Sequence, residues 1–310
     1  MTRISWAIQA ALFYLFTGAM AAIPRRLSRA AGRLFGQLMY ILLARRREIA
    51  IDNIRQALPF MKQHPAWTGV FDTTEEIALA TFINLGTSII EVCRLYHGKD
   101  AELFDTMAVH GLDNFQRAKE KNIGVLCIGG HCGNWEQLSL SAKKHLGENI
   151  WAIARKQNNP YLNTIIEKMR MGYGNTVIYT KSALKPMLGV IKNNGVIVML
   201  TDQAAGEQNG VLIDFLGRKA WALKAPAVIA HKTGVPVVPF FAYREENRHA
   251  LLLLPEYTLC GDRTEAGIVQ DVQALSRYLE EFVCAHPADW YWVHRRWKQA
   301  GQQSSDFGTT

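Results

Sequence analysis

Apolar residues follow three different rhythms along this chain. The first is unbroken: Ile4 to Ile23, ISWAIQAALFYLFTGAMAAI, carries no formal charge. As a helix it spans roughly 30 Å, the hydrocarbon thickness of a bilayer. The second is helical. Residues 26–47 mix arginines with the apolar stretch LFGQLMYILL and predict an amphipathic helix. Residues 48–96 continue helical, and Thr74 to Tyr96 carries apolar positions at helical spacing with Thr74 as a candidate cap. The third begins near residue 106, where apolar runs of strand length alternate with amphipathic stretches. Strands are expected at Ile123–Ile128, Ile150–Ala154, Thr176–Tyr179, Val196–Leu200, Val235–Ala242 and Ala250–Leu254. Helices are expected at residues 135–146, 160–172, 183–194, 221–232 and 266–285. That alternation predicts an α/β fold, with a central mostly parallel sheet flanked by helices.

The expected organisation is an N-terminal transmembrane anchor over residues 1–24, an amphipathic and helical region over 25–105, an α/β domain over 106–300 and a flexible tail over 301–310. A buried core helix and a cleaved signal peptide are rival readings of the first segment. Against cleavage, only Arg3 precedes the apolar run, and Ala19-Met20-Ala21 is a weak cleavage match. The stronger positive charge follows it, at Arg25, Arg26, Arg29 and Arg33 and then at Arg45, Arg46 and Arg47. This places the remainder of the chain on the cytoplasmic side of a single-pass anchor. The arginines of the amphipathic helix suit either anionic headgroups or plain solvent.

Composition narrows the partners. The net charge is +8, from 35 Lys+Arg against 27 Asp+Glu. Such a balance suits nucleic acid, an anionic membrane or a phosphorylated substrate. No RNP-like motif, zinc finger or helix-turn-helix cue supports nucleic acid. The five cysteines are odd in number and form no CxxC, which reads as buried thiols in a reducing compartment.

The chemistry concentrates in CIGGHCGNWEQL, Cys127 to Leu138. In one continuous helix His131 and Glu136 would point roughly 140° apart and could not meet. They can meet if the strand ends near Ile128, Gly129 and Gly130 turn the chain, and a helix opens at Gly133 or Asn134. A histidine oriented by a carboxylate is a general base. A zinc site lacks HExxH and a partner cluster. Cys132, as His131's neighbour in an extended turn, points away from it, which argues against a Cys/His nucleophile. From the motif alone, a glycine turn with a packed histidine remains open.

The downstream order of segments is more specific. GGHCGNWE resembles the H-x4-D/E box of the glycerolipid-type acyltransferase superfamily. The chain, from its N-terminal apolar helix to DWYWVHRRWK, resembles the bacterial late acyltransferases of lipid A biosynthesis. ARKQNNPYLN is similar to that family's arginine block, with Arg155, Asn158 and Pro160 at matching positions. NNGVIVMLTDQAAG resembles its strand ending in an aspartate, here Asp202 beside Gln203. The segment from Ile213 to Phe241, with Gly234 to Pro239, and the terminal DWYWVHRRWK match in order. Where many members carry an arginine soon after the aspartate, this chain has AAGEQNG, and Arg218 is the candidate to compensate.

The resemblance implies a glycerolipid acyltransferase-like fold, with residues 106–300 as the acyltransferase domain. It implies transfer of a fatty acyl chain from acyl carrier protein to a hydroxyl of a phosphorylated glycolipid, a lipid A precursor, at the bacterial inner membrane. His131 would be the base and Glu136 its orienting carboxylate. Gly130, Asn134, Arg155, Asp202, Gln203 and Arg218 would contact substrate. No cofactor or metal is implied. Another glycolipid or lysophospholipid acceptor, a water-using thioesterase or lipid hydrolase, and a non-enzymatic membrane-attached lipid-binding protein are the alternatives.

Overall fold

The computed structural model describes residues 2–245 and 248–298. The expected tail over residues 301–310 lies outside the described residues. Four long helices open the chain: α1 (Arg3–Ala22), α2 (Arg25–Leu42), α3 (Ala44–Gln63) and α4 (Thr74–Tyr96). The amphipathic helix is shorter than its arginine pattern predicts. It stops at Leu42, and Leu43 leaves helical geometry before α3 begins. The cap of α4 is Thr73 rather than Thr74. Its hydroxyl accepts from the Glu76 N–H, and the Glu76 carboxylate accepts from the Thr73 N–H.

Helices α2 and α4 cross with almost no space between their backbones. A Cβ on Gly36 would stand 2.4 Å from the Phe82 carbonyl oxygen, and one on Gly86 the same distance from the Gly36 nitrogen. Helices α1 and α4 are both long and apolar enough to cross a membrane. More than half of the most apolar stretch of α4 is buried inside the protein, whereas α1 leaves most of its surface bare.

The α/β part follows as β1 (Ala108–His110), α5 (Leu112–Lys119), β2 (Val125–Gly129), α6 (Trp135–Leu146), β3 (Ile150–Ala154), α7 (Pro160–Met171), β4 (Thr176–Tyr179), α8 (Leu184–Lys192) and β5 (Val196–Leu200). It continues with β6 (Gly210–Phe215), β7 (Arg218–Leu223), α9 (Ala225–Thr233), β8 (Val237–Glu245), β9 (Arg248–Leu253) and α10 (Glu265–Ala285). Seven strands form one sheet in the order β1-β9-β8-β2-β5-β3-β4. Every neighbouring pair is parallel except β8 with β9. The central strand β2 is buried along its whole length, as a strand covered on both faces must be. Residues of α6 pack on the Cys127 face, and those of α8, α9 and α10 on the Leu126 and Ile128 face.

A second core joins the two ends of the chain. Ile54 and Met61 of α3, Ile77 and Phe82 of α4, Phe215 of β6, Val283 of α10 and Trp292 pack together. The helical N-terminal region therefore shares its interior with the α/β part.

The expected helix over 221–232 starts late. Trp221 to Leu223 belong to β7, which pairs antiparallel with β6, and the helix opens at Ala225 with Pro226 in its first turn. The hairpin turns at Leu216 and Gly217, both at positive φ, as a two-residue loop requires. Leu216 tolerates this unfavourable geometry (φ 50°) in a buried setting where its N–H donates to the Glu280 carboxylate at 2.6 Å.

Helix α1 lies along the body. Asn159, which caps α7, donates to the Trp6 carbonyl at 2.9 Å. Further on, the Thr17 hydroxyl and His97 Nε2 are 3.0 Å apart. At its end Arg94 and Lys99 donate to the Ala21 carbonyl.

Candidate active site

The site is assembled where parallel strands β2 and β5 end side by side, the crevice in which open α/β sheets bind ligands. Strand β2 ends at Gly129, and the chain turns through Gly130 to Gly133 before α6. Gly133 has φ +53°, and a Cβ there would sit 2.6 Å from the Ala242 carbonyl oxygen. Asn134 caps α6 by accepting from the Gln137 N–H at 3.1 Å. Its amide donates to Glu91 at 2.9 Å, and Glu91 is itself paired with Arg244 and His249. The C-terminal segment clamps the same turn: Tyr291 N–H donates to the His131 carbonyl at 3.1 Å, and Gly133 N–H to the Asp289 carbonyl at 2.7 Å.

His131 sits on this turn with its Nδ1 2.7 Å from Asp202 Oδ1. Asp202 lies two residues beyond β5 and is buried. Its other oxygen accepts from Trp290 Nε1 at 2.9 Å. Burial opposes charge on both groups. On His131 the carboxylate's charge and hydrogen bond outweigh that penalty and raise the pKa above the usual histidine value. On Asp202 the same partner, with Trp290, holds the pKa below the usual carboxylate range. With Nδ1 engaged as donor, Nε2 carries the lone pair. Gln203 Nε2 stands 3.4 Å from it. The Trp135 ring meets His131 edge-on at 5.2 Å, and Tyr291 lies at 6.2 Å.

The carboxylate bonded to His131 is therefore Asp202, not Glu136. Glu136 is in the first turn of α6, as expected, and lines the same cavity. Its oxygens are taken by Arg170, from the end of α7, and by the Tyr96 hydroxyl at 3.1 Å. Among the described residues no hydrogen bond joins Glu136 to His131. The turn and helix stand where expected, but Arg170 and Tyr96 take both carboxylate oxygens of Glu136, which reaches His131 only through its charge.

An elongated cavity of about 450 Å³ opens beside His131. Near its mouth stand Glu136, Arg155, Arg170 and Gln203. Deeper, it runs between α6 and the sheet, lined by Leu138, Ala142, Leu146, Val198, Phe240, Leu251 and Leu253. From β9 to β3 it crosses four interstrand gaps, roughly 19 Å. Arg155 is exposed just past β3. Gly130 and Asn134 shape the turn without lining the cavity. Arg218 opens β7 and faces a separate cleft.

Cys132 is fully buried, and burial pushes its thiol well above the ordinary value. Burial likewise raises Cys127 to about 12. Neither is a ready nucleophile. One cluster, His231, Cys260 and Asp271, places three ligand atoms within 4.8 Å of one another. His231 Nε2 and Asp271 Oδ2 are already in direct contact at 2.5 Å, and Tyr257 and the Cys260 N–H occupy the other oxygen, which reads as a satisfied structural network.

Arg170, Tyr96, Trp135 and Tyr291 are site residues that sequence reasoning missed. The aromatic density around His294 and the WE pair after the turn were visible, but nothing local marks Arg170 or Tyr96.

Residues 2–299 match the family described as bacterial lipid A biosynthesis acyltransferase. The chain belongs to that family. It is an acyltransferase that works on a lipid acceptor. Similar proteins include the lipid A biosynthesis palmitoleoyltransferase of Escherichia coli (strain K12), 24% identical over 271 residues, covering 86% of this chain and 83% of the relative. The phosphatidylinositol mannoside acyltransferase of Mycobacterium tuberculosis (strain H37Rv) is 24% identical over 205 residues, 65% of this chain and 63% of the relative. A solved structure, the 1-acyl-sn-glycerophosphate acyltransferase PlsC from Thermotoga maritima, is 14% identical with a TM-score of 0.37, over 84% of this acyltransferase and 99% of that chain.

Proposed function

We propose that this acyltransferase moves a fatty acyl chain from acyl carrier protein to a hydroxyl of a lipid A precursor at the cytoplasmic face of the bacterial inner membrane. The observation that carries this reading is the His131–Asp202 pair at the mouth of a long apolar cavity. The acyl chain lies under α6 with its thioester carbonyl beside His131. The acceptor hydroxyl loses its proton to His131 Nε2 as its oxygen attacks the carbonyl carbon. Asp202 holds the tautomer and stabilises the imidazolium. The tetrahedral oxyanion collapses, the C–S bond breaks, and the departing sulfur takes the proton from His131. Gln203 and the N–H groups opening α6 are our candidates for the oxyanion. The Glu136–Arg170 pair fixes the charge at the mouth. Arg155 is free to meet the phosphate of donor or acceptor, and no cofactor enters the reaction.

The bare face of α1 and the apolar face of α2 supply the membrane contact. Helix α1 is held to the body from Trp6 to Ala21, roughly 22 Å. That geometry favours a helix lying in the interface over one that crosses the bilayer alone.

The test is acyl transfer by the purified full chain from radiolabelled acyl-acyl carrier protein to a lipid A precursor, with mass spectrometry of the product. Transfer that is lost in His131→Ala supports the reading. Near-full turnover by that variant overturns it. The mycobacterial relative gives a second acceptor, a mannosylated phosphoinositide, which belongs in the same assay.

A further inference from the structure

We propose that the cleft between the start of α3 and the C-terminal segment binds the phosphorylated sugar of the lipid acceptor. The inference rests on the glycolipid reading above and adds a site to it. The cleft measures about 430 Å³ and is separate from the cavity beside His131.

Its charges stand close without direct pairing, and Asp52 supports the Arg218 charge only through space. Arg45, Arg218, Arg295 and Lys298 line it, with Glu48 and Asp52 one helical turn apart on α3. Among the described residues none of these six forms an ion pair. The guanidinium of Arg218 lies 4.4 Å over the Trp297 ring, which fixes its plane. Its Nη1 and the Trp297 Nε1 are buried without an acceptor. Buried donors without partners are uncommon in folded proteins and call for an explanation.

The chemistry is mixed in a way that selects the ligand. Arginines in a concave site suit a phosphate, which they can bind with two parallel hydrogen bonds. Two carboxylates in the same cleft would repel a bare polyanion or an acidic protein surface, but they accept hydrogen bonds from sugar hydroxyls. A phosphorylated sugar satisfies both sets of groups.

Position supplies the rest. Ile41 and Leu42, 62% and 74% exposed, end the apolar face of α2 just before Arg45. A lipid with its chains against that face would present its headgroup at the level of the cleft. The cleft also adjoins the catalytic residues. Trp297 stacks edge-on against Trp290 at 6.2 Å, and Trp290 donates to Asp202.

The experiment uses the full chain in detergent micelles. Binding is measured to an acylated glucosamine disaccharide phosphate, the same lipid after phosphatase treatment, phosphatidic acid and inorganic phosphate. Acyl-transfer KM is measured for the first two. The wild-type protein should bind the phosphorylated disaccharide at least about tenfold more tightly than its dephosphorylated form, the worth of one charge-assisted contact. The Arg295→Ala/Lys298→Ala variant, altered only at exposed side chains, should erase that difference and raise the acceptor KM. Glu48→Gln/Asp52→Asn should weaken the sugar lipid but not phosphatidic acid. Survival of the phosphate preference in the arginine–lysine variant overturns the site. A change in donor KM alone assigns the cleft to the donor and also overturns it. Equal binding of phosphatidic acid, or competition by inorganic phosphate with no lipid preference, removes the sugar. If the wild-type protein transfers acyl groups to no acceptor but keeps phosphate-dependent binding that the variant loses, the transfer reading fails and the cleft stands.

Discussion

His131 Nδ1 and Asp202 Oδ1 lie 2.7 Å apart although 71 positions separate them in the chain. The histidine is 21% exposed at its side chain and the aspartate 3%. One end of the imidazole is thus locked to a buried anion while the other faces the cavity.

Replacing Asp202 with Asn should lower kcat by roughly 10²–10⁴-fold, because the tautomer and the imidazolium both lose their support. The pH profile separates this role from a structural one. In the proposed mechanism His131 works neutral, and its pKa is raised, so the rate should fall as pH drops through a value above the ordinary histidine pKa of about 6.5. In Asp202→Asn the acid limb of kcat/KM should move to lower pH. A limb that stays in place would contradict the pairing.

Glu136 carries a different expectation. Its carboxylate neutralises Arg170, whose charge burial alone would disfavour. Glu136→Gln should destabilise the fold by about 1–3 kcal/mol, as a partly buried cation loses its partner. Denaturant unfolding reads this directly. The acid limb of the rate profile should move less than in Asp202→Asn, and the opposite order would restore Glu136 as the orienting group.

Gly133→Ala tests the turn. A Cβ there meets the Ala242 carbonyl oxygen, and φ is positive. The cost should be about 1–3 kcal/mol or more, with loss of transfer as the turn carrying His131 shifts. Thermal melting and turnover of the same sample decide it.

The cavity under α6 predicts donor selectivity. Ala142→Phe places a ring among Leu138, Phe240 and Leu251. Preference should shift to shorter acyl donors, with each excluded methylene worth about 0.8 kcal/mol, roughly fourfold in kcat/KM. A ladder of acyl-chain lengths measured on both proteins gives the answer, and an unchanged ranking would place the chain elsewhere.

The proposed membrane contact uses the bare face of α1. Ile8 and Leu12 are exposed there, opposite the buried positions Ala10, Thr17 and Ala21. Ile8→Asp/Leu12→Asp should release protein from vesicles while leaving its melting temperature near that of the wild type, since neither residue is buried. Flotation with vesicles intact after the substitution would transfer the role to α2.

Much of the architecture was legible because its elements have strong local periods. β2, β3, β4 and β5 are short apolar runs with helix-length amphipathic segments between them, and the structure reproduces that alternation. The glycine turn was legible from Gly129, Gly130 and Gly133, which permit a bend next to a buried strand. The hairpin β6–β7 was not, because Trp221 to Leu223 run into a helix start without a break and the turn uses Leu216, a residue that ordinarily avoids positive φ.

The sequence by itself determined the strand–helix alternation, the turn that carries His131 and the apolar helix at the start, since each depends on residues near one another in the chain. The tertiary structure alone decided which carboxylate meets the histidine. That choice depends on β5 lying beside β2, which puts Asp202 at His131, and on α7 packing by α6, which gives Glu136 to Arg170. A spacing of five residues says which groups are close along the chain. Hydrogen bonds form between the groups that the sheet order brings within 3 Å.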